Sequence, residues 1–283
     1  MYAVFRTWYL SLDLLRPAKI LGFFKSSVRV FGRSLWQFII NFGWLIGIDA
    51  LFVLSIGDIV AKGMTQLAAG KSLDSSLAIA MLVQAVVWFL ASSAFFLLIR
   101  KDDAIPPKMY FKIYFFRYMQ ILFAFSCLFL LFIYFLLTAG ITKLPHAPWI
   151  ALMLVKVVEL YVIFYWLDAK GYFSDVAYSC EKTVNLVLYN APIIIVFLAL
   201  LWLADYGVST LAGVVNAKAY PHILFLNVSL YPVQEAISLS MLAKMLVVKY
   251  CAFLVEYFWL SMVFVFYRRK KHEQYAVSFF QKA

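Results

Sequence analysis

The chain has 283 residues, of which 65% are apolar and only 14% are charged, and its net charge is +11. A soluble domain is about 45–50% apolar and about 25% charged, and a soluble chain of this length needs a polar shell that so few charges cannot supply. The composition excludes a soluble globular domain and a disordered chain, and it predicts a membrane protein.

Six apolar stretches are each long enough to cross a hydrocarbon core of about 30 Å, which takes about 20 helical residues. Only helices fit, because every backbone donor in lipid must be satisfied within the segment, and the stretches do not alternate as barrel strands do. The sequence therefore predicts an all-α, polytopic membrane protein with six transmembrane helices. The predicted spans are Trp36–Ile56, Leu77–Ile99, Gln120–Thr138, Trp149–Leu167, Ala191–Asp205 (extended back to about Leu186) and Ser240–Tyr267.

The distribution of basic residues predicts the orientation. Residues 1–35, 100–117 and 268–283 hold 16 of the 25 Lys and Arg residues, and cytoplasmic loops are enriched in these cations. Both termini are therefore expected in the cytoplasm, with a cytoplasmic amphipathic, interfacial segment at 1–35. A six-helix transmembrane domain at 36–267 and a basic cytoplasmic tail at 268–283 complete the predicted organisation. We expect a multi-pass protein of a bacterial inner membrane.

The expected partners follow from where the charges lie. The bases are gathered in short segments between apolar runs, which favours anionic lipid head groups over nucleic acid as counter-ions. The three cysteines, Cys127, Cys180 and Cys251, are far apart and show neither a disulfide framework nor zinc-ligand spacing. The sequence contains no GxxxxGK[ST], HExxH, GxSxG or GxGxxG motif. We therefore expect no metal, no cofactor, no catalytic residues and no enzymatic activity.

A weak threefold repeat precedes the first, third and fifth predicted spans. The segments FFKSSVRVFGRSLWQF (23–38), KMYFKIYFFRYMQILF (108–123) and DVAYSCEKTVNLVLYNAP (175–192) each combine bases with apolar and aromatic residues. In each segment a base stands eight positions before an amide. These pairs are Arg29 and Gln37, Lys112 and Gln120, and Lys182 and Asn190.

Amphipathic segments of this kind lie in the head-group layer, with cations near phosphate and apolar residues in the acyl boundary. The repeat predicts three units, each an elbow helix along the cytoplasmic face followed by a hairpin of two spans. The predicted elbow helices are residues 20–34, 108–118 and 173–184. The residues expected to contact lipid head groups are Arg29, Arg33, Lys112, Arg117 and Lys182.

This arrangement resembles the six-helix membrane domains of glycerophosphoryl diester phosphodiesterases and related stand-alone bacterial inner-membrane proteins. The resemblance covers most of the chain and depends on a basic elbow, a polar residue and a following span. A catalytic phosphodiesterase domain is not part of the pattern. The resemblance therefore implies a fold and no enzymatic activity.

Ionisable residues within the predicted spans are the candidate functional residues, because each costs about 2.5–3.5 kcal/mol at the bilayer centre. Asp49 lies in the first span, Lys156 and Glu159 lie in the fourth, and Lys249 and Glu256 lie in the sixth. We expect these five to converge as one buried charge cluster. The cluster can be a set of interhelical ion pairs that holds the spans in register. It can also be a polar pathway for a proton, an ion or an anionic head group.

Three functions remain open at the level of the sequence. The favoured one is a non-enzymatic integral membrane protein that serves as a scaffold, an accessory subunit or an envelope-maintenance factor, with a protein partner in the membrane. The alternative is a small transporter or lipid-handling protein that uses the buried charge cluster. An intramembrane enzyme is the least favoured, because no nucleophile–base arrangement is visible. The outer loop at 206–239 is expected to form an interfacial helix or a lid.

Overall fold

The computed structural model describes residues 8, 16–68, 75–101, 104–138, 147–169, 174–215, 217–222, 227–232 and 238–280. Within these ranges the chain forms seven helices and one antiparallel two-stranded hairpin. The helices are α1 (Pro17–Ala68), α2 (Ser75–Arg100), α3 (Pro107–Thr138), α4 (Ala147–Asp168), α5 (Ser174–Tyr189), α6 (Ala191–Val214) and α7 (Leu239–Phe280). The strands are β1 (Ala217–His222) and β2 (Asn227–Pro232).

Each of the six predicted apolar runs lies within a single helix, except that the extension of the fifth run back to Leu186 crosses the break between α5 and α6. Among the described residues, α1, α2, α6 and α7 are long and apolar enough to cross a membrane. Most side chains in the run Gln120–Thr138 of α3, and those at 149–154 and 156 in the run Trp149–Leu167 of α4, lie outside the described part of the structure. The third and fourth spans therefore stay predictions.

The expectation of an interfacial helix across residues 206–239 is wrong for its second half. Strand β1 pairs with β2 from Ala217 opposite Pro232 to His222 opposite Asn227. A proline removes a hydrogen bond from a helix interior and clashes with the preceding turn, and both Pro221 and Pro232 fall in this segment. The prediction rests on the apolar composition of residues 206–239. The two prolines and the short lengths of the segments that form β1 and β2 favour strands instead.

The first two predicted elbow segments are not separate helices. Residues 20–34 continue without interruption into the first predicted span within α1, and residues 108–118 do the same within α3. Helix α1 thus also crosses the predicted domain boundary at residue 35. The prediction overlooked that these segments contain nothing that breaks a helix, since glycine weakens a helix by only about 1 kcal/mol relative to alanine.

The third predicted elbow, in contrast, is a helix of its own. A turn at Asn190 separates α5 from α6, and the Asn190 carbonyl accepts hydrogen bonds from the N–H groups of Ile193 and Ile194 at 3.0 and 3.1 Å. Pro192 has no N–H, so it cannot donate to the Leu188 carbonyl as a helical residue would. The indole N–H of Trp8 donates to that carbonyl instead, at 2.6 Å. The interrupted backbone therefore keeps its hydrogen bonding at the break.

The described helices pack into two compact units. The first unit comprises Met1–Phe31, Ile99–Leu200 and Trp259–Ala283, and the second comprises Gly32–Leu98 and Leu201–Phe258.

The core of the first unit is aromatic and is organised around α7. The ring of Phe164 on α4 lies 5.3 Å from the ring of Tyr267, measured between centroids. The indole N–H of Trp259 donates to the carbonyl of Phe197 on α6 at 2.8 Å. A ring that also donates a hydrogen bond fixes the rotation of its helix as well as filling space.

The core of the second unit is a stack of rings from α1, α2 and α7. The centroid of Phe95 lies 4.5 Å from that of Tyr257 and 5.2 Å from that of Phe38. The hydroxyl of Tyr257 donates to the carbonyl of Ser92 at 2.8 Å. In addition, the hydroxyl of Ser34 donates to the carbonyl of Leu98 at 3.1 Å, which ties α1 to α2.

Candidate functional site

The second unit contains an ion pair between two of the residues predicted from the sequence. The Nζ atom of Lys249 on α7 lies 2.8 Å from each carboxylate oxygen of Asp49 on α1. The side chain of Asp49 is 0% exposed and that of Lys249 is 11% exposed. Both helices are apolar enough to span a membrane, so this is a buried, charge-assisted contact within the apolar part of the protein.

Two aromatic side chains complete the surroundings of this ion pair. The ring of Trp88 on α2 lies 4.0 Å from Lys249 Nζ, which places the cation against the π-face. The hydroxyl of Tyr250 lies 3.2 Å from Asp49 Oδ2 and 3.3 Å from the carbonyl of Ile46. The ammonium group thus has two carboxylate oxygens and one aromatic face as partners for its three N–H bonds.

The packing around the ion pair shields it from solvent. The Trp88 ring lies 5.2 Å from Phe253 and 6.1 Å from Tyr250, measured between centroids. A low dielectric strengthens the attraction between opposite charges and raises the cost of separating them. The arrangement is therefore suited to joining α1, α2 and α7. A lysine that shares its protons with a carboxylate is not available as a general base.

The other three members of the predicted cluster are described separately. Glu256 is buried on α7 in the second unit, about two turns after Lys249. Glu159 is buried on α4 in the first unit. The side chain of Lys156 lies outside the described part of the structure. The structure thus brings Asp49 and Lys249 together, and the five-residue cluster stays a prediction.

The first unit contains a second charge centre, which we call the Asp168 centre, at the C-terminal end of α4. Arg100 at the end of α2 donates to Asp168 Oδ1 from Nη2 at 2.6 Å and from Nε at 3.1 Å. The hydroxyl of Tyr267 donates to Oδ2 at 2.7 Å, and Lys271 Nζ also donates to Oδ2. Arg100 in addition donates to the hydroxyl of Tyr110 on α3 at 2.6 Å. The Asp168 carboxylate therefore joins α4 to α2 and α7, and Arg100 extends the contact to α3.

The electrostatics of this centre stabilise the ionised carboxylate. Burial by itself raises the pKa of Asp168. The charge of Arg100 and the hydrogen bonds from Lys271 and Tyr267 outweigh that effect and hold the pKa of Asp168 below its ordinary value. The side chain of Arg100 is 8% exposed and that of Asp168 is 20% exposed, so the centre is shielded but not closed.

Sequence reasoning missed the Asp168 centre, although a signal for it was present. Arg100 and Lys271 belong to the segments whose bases predict the orientation, and Asp168 is not among the candidate residues. The three residues directly follow, or lie within one turn of, the ends of the second, fourth and sixth apolar runs. Alternate spans end on the same side of a membrane, so the positions of these three charges would have identified them as neighbours.

The five residues predicted to contact lipid head groups differ in exposure. Arg29 and Lys112 are exposed, whereas Arg33, Arg117 and Lys182 are half-buried. The guanidinium of Arg117 lies 5.8 Å from the centroid of the Tyr114 ring, and Lys182 Nζ lies 5.4 Å from that of Tyr178. Cations stacked on tyrosine rings are held near the helix surface with their charged ends outward.

The three predicted elbow segments share a feature of their surfaces in the first unit. Each carries exposed apolar residues at helical spacing, close to its basic residues. These stripes are Leu21, Phe24 and Val28 on α1, Met109, Ile113 and Phe116 on α3, and Cys180, Val184 and Leu188 on α5. A helix with this surface is suited to the boundary between head groups and acyl chains.

The first unit also contains a groove of about 430 Å³ between the N-terminal part of α1 and the C-terminal part of α7. We call it the α1–α7 groove. Its wall is apolar at Phe23 and Phe264, and its lining includes the bases Lys19, Arg268 and Arg269.

The described side chains contain no group of three or more His, Cys, Asp or Glu residues that could hold a metal ion. No protein-family model, no curated protein and no solved structure matches the chain. The similarity to phosphodiesterase membrane domains therefore stays a prediction from the sequence pattern. Within its described residues, the structure defines a mainly helical protein with four helices long and apolar enough to cross a membrane.

Proposed function

We propose that the chain is a multi-pass membrane protein that acts by assembly rather than by chemistry, as a scaffold, an accessory subunit or an envelope-maintenance factor. The observation that supports this role is the mutual neutralisation of Asp49 and Lys249 in the apolar interior. Both charges are used to join helices. A catalytic or conducting group would instead need access to a substrate or to water.

The proposal includes six spans, cytoplasmic termini and elbow segments at the cytoplasmic surface of a bacterial inner membrane. The exposed apolar stripes next to Arg29 and Lys112 support the interfacial placement. The variant Ala104→Cys, made after the native thiols are removed, tests the orientation. We expect an impermeant maleimide to label this cysteine only after the membrane is opened. Labelling from outside intact cells would overturn the orientation.

The exposed face of α1 is the place to test for a protein partner. Trp44 is exposed among other large apolar residues, and a Cβ atom added at the neighbouring Gly47 would meet nothing within 4 Å. Small residues four apart, here Gly43 and Gly47, let a second helix approach closely in a membrane.

A photo-crosslinking amino acid at position 44 provides the test in intact membranes. We expect one discrete protein adduct, and we expect the same amino acid at the buried position of Phe95 to give none. The variant Gly47→Leu is expected to weaken the adduct, because it fills the space next to Trp44. If position 44 reacts with lipid alone and the purified protein is a monomer, the scaffold role is excluded.

The alternative function is lipid handling or small-solute transport. The observation that favours it is the α1–α7 groove, which combines an apolar wall with bases. The paired variant Asp49→Asn with Lys249→Met distinguishes the two functions. A structural ion pair predicts that the paired variant folds and keeps the cellular function. A polar pathway predicts that the paired variant folds and loses the function.

A further inference from the structure

The lining of the α1–α7 groove has the composition of an amphiphile-binding site. Among the described residues that line it, the charged ones are the bases Lys19, Arg268 and Arg269. The groove volume of about 430 Å³ falls in the usual range for ligand sites, about 300–1,000 Å³. The hydroxyl of Ser26, which also lines the groove, is directed back to the carbonyl of Gly22 at 2.8 Å.

The bases and the apolar residues occupy different ends of the groove. Lys19 stands at the N-terminal end of its stripe on α1, and Val30 stands at the other end, about 16 Å further along the helix. On α7 the order is reversed, because Phe264 precedes Arg268 and Arg269. In two helices that run antiparallel, these orders place the three cations together at one end and the apolar residues at the other.

We propose that the α1–α7 groove binds one anionic phospholipid. The phosphate of its head group lies between the side chains of Lys19, Arg268 and Arg269, and an acyl chain lies along Phe23 and Phe264. Charge complementarity supports this occupant, since three cations line the groove at one end and its described apolar residues line the other. This inference rests on the membrane location in the proposed function and is independent of the scaffold role.

Gly22 allows the acyl part of the site to be tested without touching the charges. A Cβ atom added at Gly22 would meet nothing within 4 Å, although the residue lines the groove. The variant Gly22→Phe therefore fits the helix and fills the groove.

The experiment is a lipid titration of the purified full-length protein in detergent, read by native mass spectrometry. Phosphatidylglycerol and phosphatidylcholine with the same acyl chains are the probes. We expect one phosphatidylglycerol to be retained per chain and phosphatidylcholine to bind more than tenfold more weakly. Removing one groove cation is expected to weaken binding about fivefold, and replacing all three with glutamine about a hundredfold. Gly22→Phe is expected to weaken phosphatidylglycerol binding at least tenfold.

A matched control removes three exposed bases outside the groove, with Lys25, Lys108 and Lys244 replaced by glutamine. This control is expected to bind phosphatidylglycerol within about twofold of the parent. Equal retention of the two lipids, or equal losses in the control and the groove variant, would overturn the proposal.

The soluble head group glycerophosphoglycerol separates a lipid site from a simple anion site. If it competes as well as the lipid and Gly22→Phe has no effect, the groove binds a free phosphate and the lipid assignment is wrong. The protein adduct at Trp44 reports on the scaffold role separately. If the adduct is lost and phosphatidylglycerol is still bound, only the proposed function is contradicted. If the adduct remains and phosphatidylglycerol binding is lost, only this inference is contradicted.

Discussion

Replacing Lys249 with methionine leaves the Asp49 carboxylate buried without its cation. Asp49 loses two hydrogen bonds of 2.8 Å and keeps the hydroxyl of Tyr250 at 3.2 Å. Removing one partner of a buried ion pair costs about 3–5 kcal/mol. We therefore expect Lys249→Met to lower the free energy of unfolding by about 3–5 kcal/mol.

The paired variant Asp49→Asn with Lys249→Met removes both charges. Its free energy of unfolding is expected to lie within about 1 kcal/mol of the parent, since replacing a whole buried ion pair is often neutral. The control is Lys244→Met, which removes an exposed lysine from the same helix and is expected to change the free energy of unfolding by less than about 0.5 kcal/mol.

Unfolding by sodium dodecyl sulfate in mixed micelles, followed by tryptophan fluorescence, measures these differences. The reasoning is refuted if Lys249→Met and Lys244→Met have the same effect, or if the paired variant is less stable than Lys249→Met alone. The second result would mean that Asp49 has a stabilising partner other than Lys249.

Three further predictions concern other contacts. Trp88→Phe is expected to lower the free energy of unfolding by about 1 kcal/mol more in the parent than in the Lys249→Met background, because the cation–π contact with Lys249 exists only in the parent. A double-mutant cycle in the same unfolding assay measures this difference. Asp168→Asn is expected to lower the free energy of unfolding by about 2 kcal/mol at pH 7. The pKa of Asp168 is depressed in the folded protein. The stability that Asp168 contributes is therefore complete at a pH above its ordinary pKa of about 3.9, and it is lost as the pH falls through the pKa of the folded state. Thermal unfolding from pH 7 to pH 3 checks this, and the exposed-acid control Glu181→Gln should keep the parent's pH dependence. Pro192→Ala is expected to restore an N–H donor to the helix and to slow amide hydrogen exchange around the break between α5 and α6; unchanged exchange would show that the proline does not cause the break.

The apolar runs predicted the helices well, because a stretch that must satisfy its own backbone in lipid has few alternatives to a helix. Length and hydropathy carry less information about where a helix ends. Residues 20–34 are predicted as a separate elbow but belong to α1, whereas α5 ends at Tyr189 and α6 begins at Ala191, next to Pro192. The hairpin of β1 and β2 escaped prediction, because short apolar runs do not distinguish strands from helices.

The site shows the same division between local and long-range information. Asp49 and Lys249 were identified because an ionisable residue inside an apolar run is costly and needs a partner. The sequence does not say which partner each charge has, since the two residues are 200 positions apart. Asp168 was missed because its stabilising contacts come from the ends of other helices. A sum of loop charges does not contain that information.

The long separation between Asp49 and Lys249 has a consequence during synthesis. Ribosomes add about 5–20 residues per second, so about 10–40 s elapse between the emergence of Asp49 and that of Lys249. During this interval α1 carries an acidic group without its native counter-charge, and transfer of such a group into lipid costs about 3 kcal/mol. The arrival of α7 removes that cost. The ion pair thus makes the stability of an early helix in the bilayer depend on the arrival of a late one.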